Sequence, residues 1–219
     1  MRNLRDNGLT IVLFSFTLIA VLGMLMTGWV VYSGESLAHG GGEVPLITYA
    51  VSGHFLSALF ENWESEFLQM SAYVMLTAFL FQRGSAESKN PDEAATQDED
   101  PAEHRHDPAS PLPVRYGSVV RTLYSYSLGI GLALLFLLSF VLHLRYSSET
   151  ANAEALMHGQ PVEPILSHLE SAQFWFESFQ NWQSEFLSTL VIVVLSIFLR
   201  FRGSPESKPV AAPHSETGS

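Results

Sequence analysis

An apolar segment near the start of the chain is long enough to cross a lipid bilayer. Residues 9–31 carry no charged side chain, and a helix of this length would extend roughly 34 Å. Residues 123–144 form a second such run, interrupted only by His143 near its end. Runs of this length are typical of transmembrane helices, so the chain is predicted to be an all-α membrane protein.

The composition supports this prediction and excludes several other classes of protein. Hydrophobic residues make up 47% of the 219 residues and charged residues 15%, with the apolar residues gathered into runs. No residue is cysteine, which excludes disulfides, thiol nucleophiles and thiolate metal sites. The formal net charge of -11 argues against binding to nucleic acid, which requires clustered lysine and arginine.

The second half of the chain repeats the first at a constant offset of 119 residues. Residues 52–89 and 171–208 share 19 identities in 38 positions without a gap, which indicates a tandem duplication. The best matched stretches are NWESEFL against NWQSEFL, at residues 62–68 and 181–187, and RGSAESK against RGSPESK, at residues 83–89 and 202–208.

Each repeat is predicted to cross the membrane twice. The predicted spans are about 9–31 and 64–82 in the first repeat (residues 1–89), and about 123–144 and 183–201 in the second (residues 116–208). The helices of the second and fourth spans are expected to begin earlier and to enter the bilayer near Trp63 and Trp182, which suit the membrane interface as anchors. The first span has a counterpart in mid-chain, so it is predicted to be retained and not cleaved as a signal peptide.

The basic residues predict the orientation of the chain. Arg145 is the one basic residue in a predicted outer loop. The other ten precede the first span, lie between the second and third, and follow the fourth: Arg2, Arg5, Arg83, Lys89, Arg105, Arg115, Arg121, Arg200, Arg202 and Lys208. The positive-inside rule therefore places both termini and the central linker in the cytoplasm. Two parallel repeats of this topology would be related by a pseudo-two-fold axis along the membrane normal.

Two segments outside the repeats are predicted to be disordered. Residues 90–115 form an acidic, proline-rich cytoplasmic linker, and residues 209–219 form a polar tail. Neither segment has enough apolar surface to bury.

The repeated box NWxSEFL supplies a candidate polar membrane site. On a helix, Asn62 and Glu66 share a side with Gln69 and Tyr73, and Ser65 lies close by. The predicted site comprises Asn62, Ser65 and Glu66 with their counterparts Asn181, Ser184 and Glu185. If the pseudo-two-fold axis brings the two glutamates together, repulsion and desolvation would favour a shared proton or a bound cation. In the alternative interpretation the glutamates are hydrated in the outer headgroup layer, and the asparagine and serine side chains join helices.

Other kinds of chemistry have little support. His39 and His158 match between the repeats and are candidate metal ligands, but each precedes a glycine and lies near a proline, which is equally typical of a turn. No catalytic triad, phosphate loop or dinucleotide motif occurs. The sequence therefore predicts neither an enzyme nor a cofactor.

The paired NWxSEFL and RGSxESK boxes resemble those of a family of small bacterial integral membrane proteins of unknown function. The resemblance covers nearly the whole chain apart from the acidic linker. It implies a multi-pass protein of the bacterial plasma membrane and supplies no activity or substrate. Two functions remain open: an interaction or scaffold protein with protein partners or a homo-oligomeric state, and a small proton or cation transporter that uses Glu66 and Glu185.

Overall fold

The computed structural model describes residues 6–218, and within this range it contains helices and turns but no strand. The elements are α1 (Gly8–Ala38), α2 (Leu46–Ala50), α3 (Gly53–Phe79), a 3₁₀ turn (Thr96–Asp98), α4 (Leu112–Arg115), α5 (Ser118–Ser125), α6 (Ser127–Met157), α7 (Ile165–Leu169) and α8 (Ala172–Phe198). The all-α class is thereby confirmed.

Three helices are long and apolar enough to cross a membrane: α1, α6 and α8. They indicate a membrane protein. Helix α3 has the same length as α8, 27 residues, but it is not among the three. The second half of α3 carries Gln69, Ser71 and Tyr73 at positions where α8 carries Ser188, Leu190 and Ile192, so α3 is the less apolar helix.

The helix boundaries differ from the predicted spans in two ways. Helices α3 and α8 end at Phe79 and Phe198, three residues before the predicted ends of the second and fourth spans, because the chain then enters a serine-rich loop. The third span was predicted to begin at residue 123, but residues 118–125 form the separate helix α5, and α6 begins at Ser127.

The same local structures recur in the two halves of the chain. Helices α6, α7 and α8 begin and end 119 residues after α1, α2 and α3, respectively. Each first helix is followed by a glycine with positive φ, 79° at Gly40 and 68° at Gly159, which closes the helix end. Helices α2 and α7 each begin after a proline, and Ser171 caps α8 by accepting a hydrogen bond from the Phe174 N–H.

The described chain divides into two compact units. Unit one comprises residues 6–60 and 142–170, and unit two comprises residues 61–141 and 171–218. In unit one, α1 and α2 pack through Tyr49, which is 2% exposed and whose ring packs at a tilt against those of Tyr32 and His54. The Tyr49 ring reaches α1 at Gly28, where a Cβ atom would overlap the hydroxyl group.

The second repeat replaces this tyrosine and glycine by a smaller and a larger residue. His168 occupies the position of Tyr49, and Ser147 that of Gly28; the Ser147 hydroxyl lies 2.8 Å from the His168 Nε2. The side-chain volume at this contact is therefore divided differently between the two helices. A hydrogen bond between two side chains takes the place of the contact between a tyrosine ring and a glycine.

The Gly28 contact predicts a clear difference between two glycines of α1. Gly28→Ala is expected to lower the melting temperature in detergent, because the added methyl group collides with a buried ring at a cost of about 1–3 kcal/mol. Gly23→Ala serves as the control, since a Cβ there meets nothing within 4 Å, and alanine is the better helix former. Equal melting temperatures for the two variants would contradict the close packing of Tyr49 on α1.

The polar segments between the helices consist mostly of turns. In the linker, Asp92 pairs with Arg83, and Asp98 pairs with Lys89. The disorder of residues 90–115 stays a prediction. Arg2 and Arg5, on which the orientation partly depends, lie outside the described residues.

Candidate functional site

In unit two, α3 and α8 meet along a row of polar side-chain pairs, which we call the polar seam. The pairs are Glu61 with Asn181, Glu64 with Trp182, Glu66 with Glu185, and Gln69 with Thr189. Residue numbers increase in the same direction on both helices, so the two helices run parallel along the seam. The NWxSEFL boxes of the two repeats therefore lie side by side.

The Glu64 pair is the most deeply buried part of the seam. Glu64 is 0% exposed and accepts a hydrogen bond of 2.9 Å from the Trp182 Nε1. The Trp182 ring is half-buried and meets Trp175 and Phe179 edge-on, at centroid distances of 6.2 and 5.3 Å. Trp182, predicted to be an interface anchor, thus takes part in helix packing, whereas Trp63 is 40% exposed.

The structure brings Glu66 and Glu185 together. Each lies at the midpoint of its helix, 13 residues from either end, and the two carboxyl groups are close enough to interact electrostatically. Glu66 is exposed on the protein surface, and Glu185 is half-buried. Two carboxylates at this range repel when both are ionised, so the pair can hold a shared proton or a cation.

The other predicted site residues are placed differently. The hydroxyl groups of Ser65 and Ser184 donate to the carbonyl oxygens of Asn62 and Asn181 in their own helices, each at 2.8 Å. They therefore do not join the two helices. Asn62 is exposed, unlike Asn181, which donates to Glu61 across the seam.

The seam also contains Glu61, Glu64 and Thr189, which are not among the site residues predicted from the sequence. Their counterparts in the other repeat are Gln180, Gln183 and Met70, so a search for residues identical in both repeats passes over them. Gln69 lies three residues after Glu66, so helical spacing places it on the same side of α3. Glu61 and Glu64 do not stand at a helical spacing from Glu66.

The two RGSxESK boxes adopt the same loop, and we call residues 83–89 the first RGS loop and residues 202–208 the second. The Ser88 hydroxyl accepts from the Gln82 N–H and the Ser207 hydroxyl from the Phe201 N–H, each at 2.9 Å. The glycines of the loops have φ angles of 84° and 89°, which only glycine adopts readily. The repeated serines and glycines therefore serve to end α3 and α8.

The glutamates of the two RGS loops also meet. The Tyr73 hydroxyl donates to the Glu87 carboxylate at 2.8 Å, and Glu206 lies close enough to act on the same carboxyl group electrostatically. Burial raises the pKa of Glu87 above its ordinary value of 4.5, and the charge of Glu206 adds to the rise, while the bond from Tyr73 acts in the opposite direction.

The tail, predicted to be disordered, covers the first RGS loop in the structure. Lys208 is 1% exposed, and its Nζ donates to the carbonyl oxygens of Gly84 at 2.5 Å and Glu216 at 2.8 Å. The Gly84 N–H donates to the Thr217 hydroxyl, and the Gly218 N–H donates to the Ser85 carbonyl oxygen, both at 2.9 Å. These contacts use mainly backbone groups, which leave no hydrophobic signal in the sequence.

The second RGS loop is open where the first is covered. Among residues 6–218, no atom outside its immediate chain neighbours lies within 4 Å of the Cβ position of Gly203. The counterpart of Lys208 in the first loop, Lys89, pairs with the carboxylate of Asp98 in the linker. The two repeats therefore share a loop but differ in what binds to it.

The sequence profile of a family described as a domain of unknown function, DUF6766, matches residues 1–219. The chain belongs to this family. No curated protein and no solved structure matches the chain. The assignment agrees with the sequence-based expectation of a family without an assigned activity, and the match extends over the whole chain.

The histidine candidates do not form a metal site. Within the described residues there is no group of three or more histidine, cysteine, aspartate or glutamate side chains that could hold a metal ion. His39 and His158 are both exposed, and the His39 Nδ1 lies 2.8 Å from the Glu35 carbonyl oxygen of the same helix end. Both histidines thus belong to the glycine turns that end α1 and α6.

The raised pKa of Glu87 predicts a change in stability with pH. Because the folded pKa lies above the unfolded one, folding stability decreases as the pH rises from 4.5 through the folded value. Glu87→Gln removes this loss and keeps an acceptor for Tyr73, so the variant is expected to melt above the wild type at pH 7 and level with it at low pH.

Melting curves in detergent from about pH 3.5 to pH 8 would measure this difference. Glu103→Gln removes the same charge from the exposed linker and is expected to leave the pH profile unchanged. A Glu87→Gln variant that is less stable than the wild type at neutral pH would show that the ionised carboxylate is required by the fold.

Proposed function

We propose that the protein is an interaction or scaffold protein of the bacterial plasma membrane, without catalytic activity or a cofactor. The observation that carries this proposal is how the repeated boxes use their polar groups. Within unit two, Asn181, Trp182 and Gln69 bond across α3 and α8. In the RGS loops, Ser88 and Ser207 accept from the backbone N–H just before each loop, and the Ser85 hydroxyl lies 2.8 Å from that of Ser196 in α8. These side chains hold structure together, as expected where polar residues join membrane helices.

The membrane architecture within this proposal has four spans, formed by α1, α3, α6 and α8. Helix α3 is thus added to the three helices that are long and apolar enough to cross a membrane. Two tandem parallel repeats are supported by the offset of 119 residues between corresponding helices and by the parallel packing of α3 and α8 along the seam. The termini and the linker lie in the cytoplasm in this arrangement. The support comes from the basic residues beside the RGS loops, including the exposed Arg83 and Arg202.

The second RGS loop is the surface that we assign to a protein partner. The tail occupies the first loop in the same chain, whereas Gly203 is uncovered and Phe201 beside it is 75% exposed. An exposed aromatic residue beside an uncovered glycine is a suitable contact for a partner.

A second candidate function rests on the Glu66 and Glu185 pair. Paired carboxyl groups at mid-helix can exchange a proton or a cation, and acidic residues inside membranes often mark ion pathways. The protein would then be a small proton or cation transporter.

Two measurements on the full-length protein distinguish these functions. In proteoliposomes with an internal pH dye and an imposed potential, a scaffold is expected to leak no faster than empty liposomes. A transporter gives a flux that Glu66→Gln with Glu185→Gln abolishes. In cells, a photo-crosslinking residue at Phe201 is expected to trap a defined partner, and one at its counterpart Gln82 is not. Flux from the wild type, or equal labelling at both positions, would overturn the scaffold proposal.

A further inference from the structure

Helix α5 separates its residues into an apolar face and a polar face. At about 100° per residue, Val119, Val120, Leu123 and Tyr124 fall within one arc of roughly 140°. Ser118, Arg121, Thr122 and Ser125 fill the opposite arc. A short helix with such a complete separation is typical of one that lies at a boundary between water and an apolar medium.

The apolar face of α5 is uncovered in the described part of the chain. Val119 is 79% exposed and Leu123 is 60% exposed. Leu112 and Tyr116, in and after α4, are 62% and 60% exposed, whereas Val114 of α4 is buried. Leu112, Tyr116 and the apolar face of α5 thus form a row of large apolar side chains that the described residues do not bury.

The position of α5 along the chain identifies what covers this row. Only Tyr126 separates α5 from α6, which is long and apolar enough to cross a membrane. Consecutive Cα atoms are about 3.8 Å apart, so the end of α5 cannot lie more than a few ångströms from the start of α6. If α6 spans the bilayer, helix α5, whose apolar face is exposed, lies at the membrane surface.

The charges of this segment favour an anionic membrane surface. Residues 112–126 contain two charged side chains, Arg115 and Arg121, and no carboxylate, in a chain with a net charge of -11. The preceding linker carries acidic residues instead. Arginine beside a membrane contributes roughly 1 kcal/mol of attraction to anionic headgroups.

We propose that residues 112–125 form an interfacial anchor that inserts its apolar row into the leaflet beside the start of α6 and binds anionic lipid headgroups through Arg115 and Arg121. The anchor fixes the end of the acidic linker at the membrane surface. This inference rests on the proposed membrane crossing by α6 and is independent of the choice between scaffold and transporter.

The absence of cysteine allows the anchor to be tested with single-cysteine probes in the full-length protein. Val119→Cys and the polar-face control Thr122→Cys would each carry an environment-sensitive fluorophore, in vesicles of phosphatidylcholine with phosphatidylglycerol that contain doxyl-labelled lipid. The probe at Val119 is expected to be quenched at least about twofold more than the probe at Thr122. Arg115→Gln with Arg121→Gln is expected to reduce this quenching in the anionic vesicles but not in pure phosphatidylcholine.

Three results would overturn the proposal in distinguishable ways. Water-like emission and equal quenching at both positions would show that the row is not inserted. A Val119 probe that is shielded from aqueous iodide but not quenched by doxyl lipid would show that a protein partner or a second copy covers the row. A control probe at Leu134 within α6 that escapes lipid quenching would refute the membrane crossing itself, and the anchor with it.

Discussion

Lys208→Met is expected to release the tail from the first RGS loop. The Lys208 ammonium group is buried and bonds to four carbonyl oxygens, those of Gly84, Pro213, His214 and Glu216. A hydrogen bond to a charged group contributes about 1.5–3 kcal/mol, and the abandoned carbonyl groups add a desolvation cost. We therefore expect the amide hydrogens of Gly84 and Gly218 to exchange at least about tenfold faster in the variant.

Lys89→Met is the matched control, because Lys89 holds the same position in the first RGS loop. Its partner Asp98 is 57% exposed, and exposed ion pairs contribute about 0–1 kcal/mol. Its substitution is expected to leave the exchange of Gly84 and Gly218 unchanged. Equal effects of the two substitutions would mean that the tail is held by something other than the Lys208 carbonyl contacts.

Glu64→Ala is expected to lower the stability of the polar seam by about 2 kcal/mol or more. The substitution removes a carboxylate that is 0% exposed and leaves the Trp182 N–H without the acceptor at 2.9 Å. For a chain of this size the melting temperature should fall by about 5 °C in detergent.

Gln183→Ala is the corresponding control in the second repeat. Gln183 occupies the position of Glu64 but is exposed, and its amide bonds within its own helix to the Gln180 carbonyl oxygen. We expect a change below about 0.5 kcal/mol. Trp182→Phe should reproduce most of the Glu64→Ala effect, and a fully additive double variant would contradict a direct bond between the two side chains.

Much of the fold can be predicted from two patterns in the sequence, uncharged apolar runs and stretches of helix-forming residues. The uncharged run at residues 9–31 and the helix-forming residues that lead back from Trp182 to Ser171 are sufficient to predict α1 and the start of α8. The break at Tyr126 was not predictable in this way. Leu123 and Tyr124 are as apolar as the span that follows, so hydropathy alone merges α5 with α6.

The site was predictable only where both repeats carry the same residue. Glu66 and Glu185 match, and the structure brings them together. Glu61 and Glu64 correspond to glutamines in the other repeat, and their importance depends on burial and on the pairing of two helices. The contacts of Lys208 depend on backbone carbonyl groups, which every residue possesses, so no sequence pattern marks them.

If the protein is a scaffold, the paired glutamates of the seam serve the structure, and the stability of Glu66→Gln with Glu185→Gln across pH tests the scaffold proposal most directly. A structural pair predicts that the double variant melts with or below the wild type at every pH, since glutamine can still form hydrogen bonds. If the double variant is instead more stable than the wild type, most strongly at high pH, the glutamates are strained charges. That result would contradict the account and favour a transporter.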